Sequence, residues 1–127
     1  MDEVQDFIMN YEGEQHDLLN FLYELLMDQP GMSCKISYKV PFFILRQRIC
    51  YLNPKRDGSV EIAFPRGHQL SNDQGILETY NRKYIKGVVI QGMDKIPIEK
   101  LHGVIQEAIL LDEIPYIPPY AFKKKKL

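Results

Sequence analysis

The stretch KISYKVPFFILRQRICYLNPKRDGSVEIAF (residues 35–64) decides the fold class of this 127-residue chain. Four short runs within it are rich in β-branched and aromatic side chains, which is typical of strands: residues 35–38, 42–46, 49–52 and 60–64. The middle pair is separated by Gln47-Arg48, which suits a tight hairpin, and Asp57-Gly58 suits a further strand reversal. Short strands joined by such turns predict an antiparallel meander.

The last of these runs, VEIAF, alternates strictly. Val60, Ile62 and Phe64 are separated by Glu61 and Ala63, and this period of two predicts a strand with one buried face. Two weaker patterns follow it: one helical turn at residues 76–80, and a fifth strand at 84–91. Gly87 in that strand indicates a bulge or a close approach of the backbone.

Helical patterns flank the strands on both sides. Residues 2–10 and 14–28 place their apolar side chains on one side, and Pro30-Gly31 ends the second pattern. Pro97 opens a final helix that runs to Asp112. The chain is therefore predicted to be α+β: a two-layer sandwich whose mainly antiparallel sheet of about five strands carries the N- and C-terminal helices on one face.

Length and composition predict one globular domain over residues 1–117, followed by a Pro/Lys-rich tail at 118–127 that contains Lys123, Lys124, Lys125 and Lys126. No run approaches the roughly 20 apolar residues of a membrane-spanning helix, and the acidic N-terminus is unlike a secretory signal. Two cysteines do not make a disulfide framework, so we expect a cytoplasmic protein with reduced thiols. No nucleic-acid-binding module accompanies the lysine run, and no nucleic-acid or membrane partner is expected.

Charge is distributed unevenly along the chain. The residues before Cys34 carry −8 and include no Lys or Arg, whereas the remainder carries +7. A polarised protein of this kind suits a cation or a basic partner at one end, although two acidic helices that face water would look the same in sequence.

Five ordered stretches resemble the YdhG-like domain family of unknown function: KISYKVPFF (35–43), YLNPK (51–55), VEIAFPRGHQL (60–70), RKYIKGVVI (82–90) and IEKLHGVIQEAI (98–109). The resemblance covers roughly residues 12–112 and implies a frataxin-like α/β sandwich. One branch of the family is described as an intracellular iron chaperone, in which acidic surface residues are associated with iron. The leading hypothesis on this resemblance is a small, non-enzymatic binding or carrier protein. For a member of the iron branch, the resemblance implies iron-chaperone activity, with Fe²⁺ as cargo and an iron-acceptor protein as partner; it does not itself assign this chain to that branch.

An anion-binding cleft is the second functional hypothesis. Arg66 and His68 follow a strand and Pro65, and Lys35 and Tyr38 lie in the first strand. An arginine fork suits carboxylate or phosphate, and histidine adds a donor, so the two strand ends would converge on one anionic small molecule. The alternative is that Tyr38 packs in the core and that Arg66 pairs with a carboxylate such as Glu61 or Asp73.

Carboxylates and imidazole near the N-terminus suggest a weak Fe²⁺ site formed by Asp2, Glu3, Asp6, Glu12 and His16. The alternative is a solvated acidic face. Glu99 and His102 have the spacing of di-iron helices, but such sites need two such pairs.

Catalytic motifs are missing: the chain has no GxSxG, HExxH, GxxxxGK[ST] or GxGxxG sequence, which favours a non-enzyme. Cys34 lies beside Lys35, which would lower a thiol pKa, but a buried structural cysteine is the simpler interpretation. A third hypothesis is a structural dimerisation or interaction domain, monomer or homodimer, that pairs through an exposed sheet edge.

Overall fold

A computed structural model of the protein describes residues 2–116. The helices are α1 (Glu3–Met9), α2 (Gly13–Met27) and α3 (Ile98–Leu111). The strands are β1 (Ser33–Ser37), β2 (Val40–Ile44), β3 (Arg48–Pro54), β4 (Val60–Phe64) and β5 (Lys86–Ile90). All neighbouring strands pair antiparallel in the order β1-β2-β3-β4-β5, which confirms the predicted α+β fold with a five-stranded meander.

One face of the sheet carries the helices and forms the core. Four leucines of the α2 apolar stripe, Leu18, Leu19, Leu22 and Leu26, are fully buried there, and so are Leu101 and Ile105 of α3. These side chains pack with the residues of the sheet that point the same way, among them Phe43, Leu52 and Ile62. The predicted helical layer is thus confirmed. The three helices leave the second face of the sheet uncovered by helix.

Local contacts set the element boundaries. Asp2 caps α1, because its Oδ1 accepts a hydrogen bond from the Gln5 backbone N–H at 2.8 Å. Gly31, at φ +78°, turns the chain out of α2 as the Pro30-Gly31 pair predicts. In residues 2–116, no helix is both long enough and apolar enough to cross a lipid bilayer.

The helical turn predicted at residues 76–80 is wrong, because side-chain hydrogen bonds hold that segment in an irregular loop. Asn72 Oδ1 accepts from the Leu77 backbone N–H at 3.0 Å, and Asn72 Nδ2 donates to the Leu77 carbonyl at 3.2 Å. A bridge between Glu78 and Gly87 then ties the segment to β5. Such side-chain bonds compete with helical backbone bonds.

The predicted single buried face of β4 is also wrong: all five of its residues are buried, and Glu61 is only 1% exposed. The reason is that the loop between β4 and β5 places Arg82 against Glu61 on the second face of the sheet. The loop shields β4 there, and the second face remains accessible over β1, β2 and β3. We call this accessible part the open face.

A β-bulge in β3 breaks the alternation of side chains. Phe43 pairs with Cys50 but the next residue, Ile44, pairs with Arg48, so Ile49 is an extra residue. Ile49 and Cys50 both point into the core. In an unbroken alternation Arg48 would share the core-facing side of Cys50; because of the bulge at Ile49, Arg48 points to the open face instead. The hairpin predicted at Gln47-Arg48 therefore ends one residue earlier, since Arg48 already belongs to β3.

Candidate functional site

The open face carries a groove with a volume of about 460 Å³, which is within the range of small-molecule sites. We call it the open-face groove. Its floor comes from β2 and β3, its rim from the β1–β2 turn, and one wall from the ends of the β4–β5 loop. The lining residues are Tyr38, Val40, Phe42, Arg48, Tyr51, Asn53, Pro65 and Ile85.

Three aromatic rings form the groove's apolar surface. Phe42 and Tyr51 are cross-strand partners, and their rings stack with centroids 4.8 Å apart at an interplanar angle of 28°. Tyr38 extends the row, with its ring 6.0 Å from Phe42 and tilted by 59°. Aromatic cross-strand pairs of this kind stabilise a sheet. Phe42 is only 6% exposed, so the aromatic surface that a ligand can reach is that of Tyr38 and Tyr51.

Arg48 lies across these rings. Its guanidinium carbon is 5.2 Å from the centre of the Tyr38 ring and 5.0 Å from that of Phe42, and Nη2 donates to Ser37 Oγ at 3.1 Å. None of the ion pairs among residues 2–116 includes Arg48. An arginine has five N–H donors, so most of this positive fork is available to an anion.

A buried ionic network adjoins the groove on β4. Glu61 accepts hydrogen bonds from both terminal nitrogens of Arg82, one of them at 3.3 Å, and Lys55 Nζ lies 3.6 Å from its Oε1. Gly87 leaves room for this carboxylate, because a Cβ at Gly87 would collide with Glu61 Oε2. The close approach predicted at Gly87 is therefore to a side chain as well as to the backbone. Glu61 pairs with Arg82 and Lys55, whereas Arg48, the cation of the groove lining, has no carboxylate partner among the described residues.

Two polar groups of the groove lining remain neutral at physiological pH. Burial raises the pKa of the Tyr51 phenol, with a further increase from Glu61, and Arg82 opposes both. Asn53 follows on the same strand, and its side-chain amide makes no hydrogen bond to another residue of the described chain. Both groups can therefore donate to a ligand without a change of charge.

The four residues predicted to bind an anion do not line one cavity. Tyr38 lines the open-face groove, and Lys35 is the cross-strand partner of Phe42 on the same face but outside the lining. Tyr38 is 78% exposed, so it does not pack in the core. Arg66 contacts the end of α3, and His68 contacts Tyr84 and Tyr116 instead. Anion binding by the four residues together stays a prediction.

Arg66 holds the segment after α3. Nη1 donates to the backbone carbonyls of Leu111 at 3.0 Å and Ile114 at 2.7 Å, and Nε donates to Gln69 Oε1 at 2.7 Å. Arg66 is 7% exposed, and its Nη2 has no hydrogen-bond partner among the described residues. Burial lowers the pKa of this guanidinium, with opposing increases from Tyr116 and Asp112. Arg66 therefore pairs with neither Glu61 nor Asp73, the carboxylates that the sequence suggested as partners; its guanidinium hydrogen-bonds to backbone carbonyls instead.

His68 belongs to the same packing. Its ring meets Tyr84 edge-on at 5.1 Å and Tyr116 at 5.7 Å, between centroids, and Tyr116 also packs against Arg66. These contacts are explained if His68, like Arg66, holds the segment after α3 in place. The predicted tail at 118–127 lies outside the described residues.

The acidic residues proposed for iron have separate roles in the described chain. Asp2 caps α1, and His16 Nδ1 lies 3.3 Å from Asp17 Oδ1. Within residues 2–116, no group of three or more His, Cys, Asp or Glu side chains is close enough to hold a metal ion. Glu3, Asp6 and Glu12 are exposed on the helical layer. Iron as a loosely held cargo stays a prediction from the family resemblance.

Both cysteines are free, and both are protonated at neutral pH. Burial, with a smaller contribution from Asp2, raises the pKa of the Cys34 thiol to about 12. Burial also raises the pKa of Cys50 well above its ordinary value. Since thiolates are the nucleophilic form, neither residue is an activated nucleophile, and the structural interpretation of Cys34 is the one that its environment favours.

Sequence patterns do not indicate Arg48, Phe42, Tyr51 or Asn53 as site residues. Phe42 and Phe43 look alike in an apolar run, and only the pairing register separates the groove side from the core side. Arg48 looks like a turn residue because the bulge at Ile49 leaves no sequence signal. The one available signal is the pair of aromatic residues at Tyr38 and Phe42, the first within the two-residue β1–β2 turn and the second in β2.

No protein-family model, no curated protein and no solved structure matches this chain. The resemblance to the YdhG-like family stays a prediction, and function is to be inferred from the groove itself.

Proposed function

We propose that the protein is a small, non-enzymatic binding protein that holds an anionic small molecule in the open-face groove. Arg48 carries the proposal, since it is a positive fork held on two aromatic rings with no carboxylate partner in residues 2–116. The anion would pair with Arg48, and the apolar part of the ligand would rest on Tyr38 and Tyr51. This retains Tyr38 from the predicted cleft and replaces Arg66 and His68 by Arg48.

Stacking on the rings prepares Arg48 for binding. The rings and Ser37 fix the guanidinium, so less side-chain entropy is lost when an anion binds. Charge-assisted bidentate bonds from arginine to carboxylate or phosphate are strong and directional. The groove's apolar lining adds burial of the ligand body.

A binding role fits the groove better than a catalytic one. Its lining consists of Tyr, Val, Phe, Arg, Asn, Pro and Ile side chains, and includes no Ser, Cys, His or carboxylate that would serve as a nucleophile or general base. We place this function in the cytoplasm, as the two unpaired cysteines suggest.

Backbone-amide NMR titration tests the proposal. The probes are benzoate, citrate, ribose 5-phosphate and adenosine 5′-monophosphate. We expect at least one of them to shift the amides of Phe42, Tyr51 and Asn53. Arg48→Gln keeps a donor for Ser37 but removes the charge, and we expect it to weaken that binding at least tenfold, since a charged hydrogen bond contributes about 1.5–3 kcal/mol.

Arg56→Gln is the matched control, because Arg56 is an exposed arginine in the β3–β4 turn and lies outside the groove lining. It should leave the affinity unchanged. The proposal is wrong if no probe shifts the groove amides at millimolar concentration, or if Arg56→Gln weakens binding as much as Arg48→Gln.

A further inference from the structure

The backbone conformation of Tyr38 is energetically unfavourable for a residue with a side chain. Tyr38 and Lys39 are the two central residues of the β1–β2 turn, with φ of +51° and +68°. Turns of this geometry favour Asn-Gly, because other side chains are strained at positive φ. Tyr38 is also 78% exposed, so burial of its ring gives little in return. An exposed aromatic residue held at a strained position is a feature of functional sites.

The ring of Tyr38 stands at the rim of the groove and offers a stacking surface. Phe42 is only 6% exposed, because Tyr51 and the Arg48 guanidinium pack against its ring, so the accessible aromatic surface is that of Tyr38 and Tyr51. A flat ligand ring that enters the groove would contact Tyr38 and Tyr51. A flat ligand ring makes more contact with such a row of aromatic side chains than a branched aliphatic group does.

Asn53 adds a hydrogen-bonding group to the same lining. Its amide has two donors and one acceptor that no described residue uses. An amide of this kind matches the edge of a nitrogen heterocycle, where a donor and an acceptor lie side by side. The groove lining therefore combines an aromatic surface for stacking, the Asn53 amide for hydrogen bonds to the edge of a ligand ring, and the Arg48 cation for an anionic group.

We infer that the ligand of the open-face groove is a nucleotide-like anion, a planar heteroaromatic ring joined to a phosphate, and that Tyr38 selects the ring by stacking. This inference rests on the proposed function and specifies its ligand class. The ring stacks on the accessible surface of Tyr38 and against Tyr51, Asn53 contacts the ring edge, and Arg48 binds the phosphate. The same chemistry is found in a free nucleotide and in a single-stranded nucleic acid.

A matched pair of ligands tests the inference by calorimetry on the full chain. Adenosine 5′-monophosphate and ribose 5-phosphate share the sugar phosphate and differ by the base. We expect the first to bind about tenfold or more tightly, since stacking of one base on an aromatic side chain is worth that much or more. Equal affinity for both overturns the inference and leaves the proposed function intact, whereas failure of all anionic probes defeats the proposed function itself.

Two variants isolate Tyr38. Tyr38→Phe keeps the ring and should keep the preference for adenosine 5′-monophosphate, whereas Tyr38→Leu keeps apolar bulk without a flat surface and should reduce that preference about fivefold. The residue lies in an exposed turn, so both variants should fold, which their amide spectra will show. An unchanged preference in folded Tyr38→Leu overturns the role of Tyr38.

A five-nucleotide oligoadenylate distinguishes the two sources of the ligand. Affinity equal to that of the mononucleotide supports a free nucleotide, because one base and one phosphate then account for all binding. Affinity at least tenfold higher, lost at high salt and in Arg48→Gln, supports a single-stranded nucleic acid. Oligonucleotide binding that survives Arg48→Gln and Tyr38→Leu overturns the assignment of this chemistry to the groove.

Discussion

At the scale of single residues, Glu61 has the most demanding environment in the described chain. It is 1% exposed, and a carboxylate removed from water is tolerated only when it is paired and hydrogen-bonded. Arg82 supplies both hydrogen bonds, and although burial alone would lower the pKa of Arg82, its bonds to Glu61 raise it. Because Arg82 comes from the β4–β5 loop, this one ion pair also fixes the loop that bounds the groove.

We predict strong coupling between Glu61 and Arg82. Glu61→Gln should lower the free energy of unfolding by about 2 kcal/mol or more, since it leaves Arg82 without its partner. Urea denaturation of both single variants and of Glu61→Gln/Arg82→Gln should give a coupling energy of about 1–3 kcal/mol. Lys55→Gln is the control, because Lys55 is more exposed and contacts the carboxylate only at 3.6 Å. Additive effects at Glu61 and Arg82 would contradict the prediction.

At the scale of elements, hairpins and helices differ in how far they can be predicted. The stripe that includes Leu18 and Leu22 predicts the buried side of α2 correctly, because a 3.6-residue period needs no knowledge of neighbours. The burial of Glu61 and the direction of Arg48 cannot be predicted in this way. The burial of Glu61 depends on Arg82 of the β4–β5 loop, which lies more than fifteen residues further along the chain. The direction of Arg48 depends on one extra residue in the β2–β3 pairing.

The β1–β2 turn gives a prediction at this scale. Lys39→Gly should raise the free energy of unfolding by about 0.5–1 kcal/mol, since glycine adopts positive φ without the cost that lysine has there. Thermal or urea denaturation measures the change. Lys35→Gly is the matched control: Lys35 lies within β1, where glycine only adds backbone freedom to the unfolded chain, and it should destabilise. A loss of stability in Lys39→Gly would mean that the turn is not strained.

At the scale of the whole molecule, charge is divided between the two layers. The segment that carries −8 forms α1 and α2, on one side of the sheet, while Lys35 and Arg48 lie on the open face. An anionic ligand is therefore repelled by the helical layer and attracted to the groove side, an effect that weakens as ionic strength rises. The charge asymmetry could be predicted from sequence, but the layer that each charge occupies requires the fold.

Arg66 connects the layers, because it follows β4 and holds the backbone after α3. Arg66→Met keeps the apolar stem and removes the hydrogen bonds, so we expect the free energy of unfolding to fall by about 2–4 kcal/mol in urea denaturation. Arg56→Met, at an exposed turn, should change it by no more than about 0.5 kcal/mol. If Arg66→Met were as stable as the wild type but lost anion binding, the predicted cleft at Arg66 and His68 would be restored as a site.

The meander order of the strands has a kinetic consequence. Every strand pairs with the strand that precedes or follows it in sequence. The steps from β1 to β4 close loops of two to five residues, whereas the β4–β5 step closes a loop of 21 residues. The helices are the elements whose contacts span the chain, since the core packs α2 and α3 together from opposite ends of the sequence. The sheet can therefore grow hairpin by hairpin from β1 to β4, and the addition of β5 and the docking of the helices are the steps in which most of the search entropy is lost.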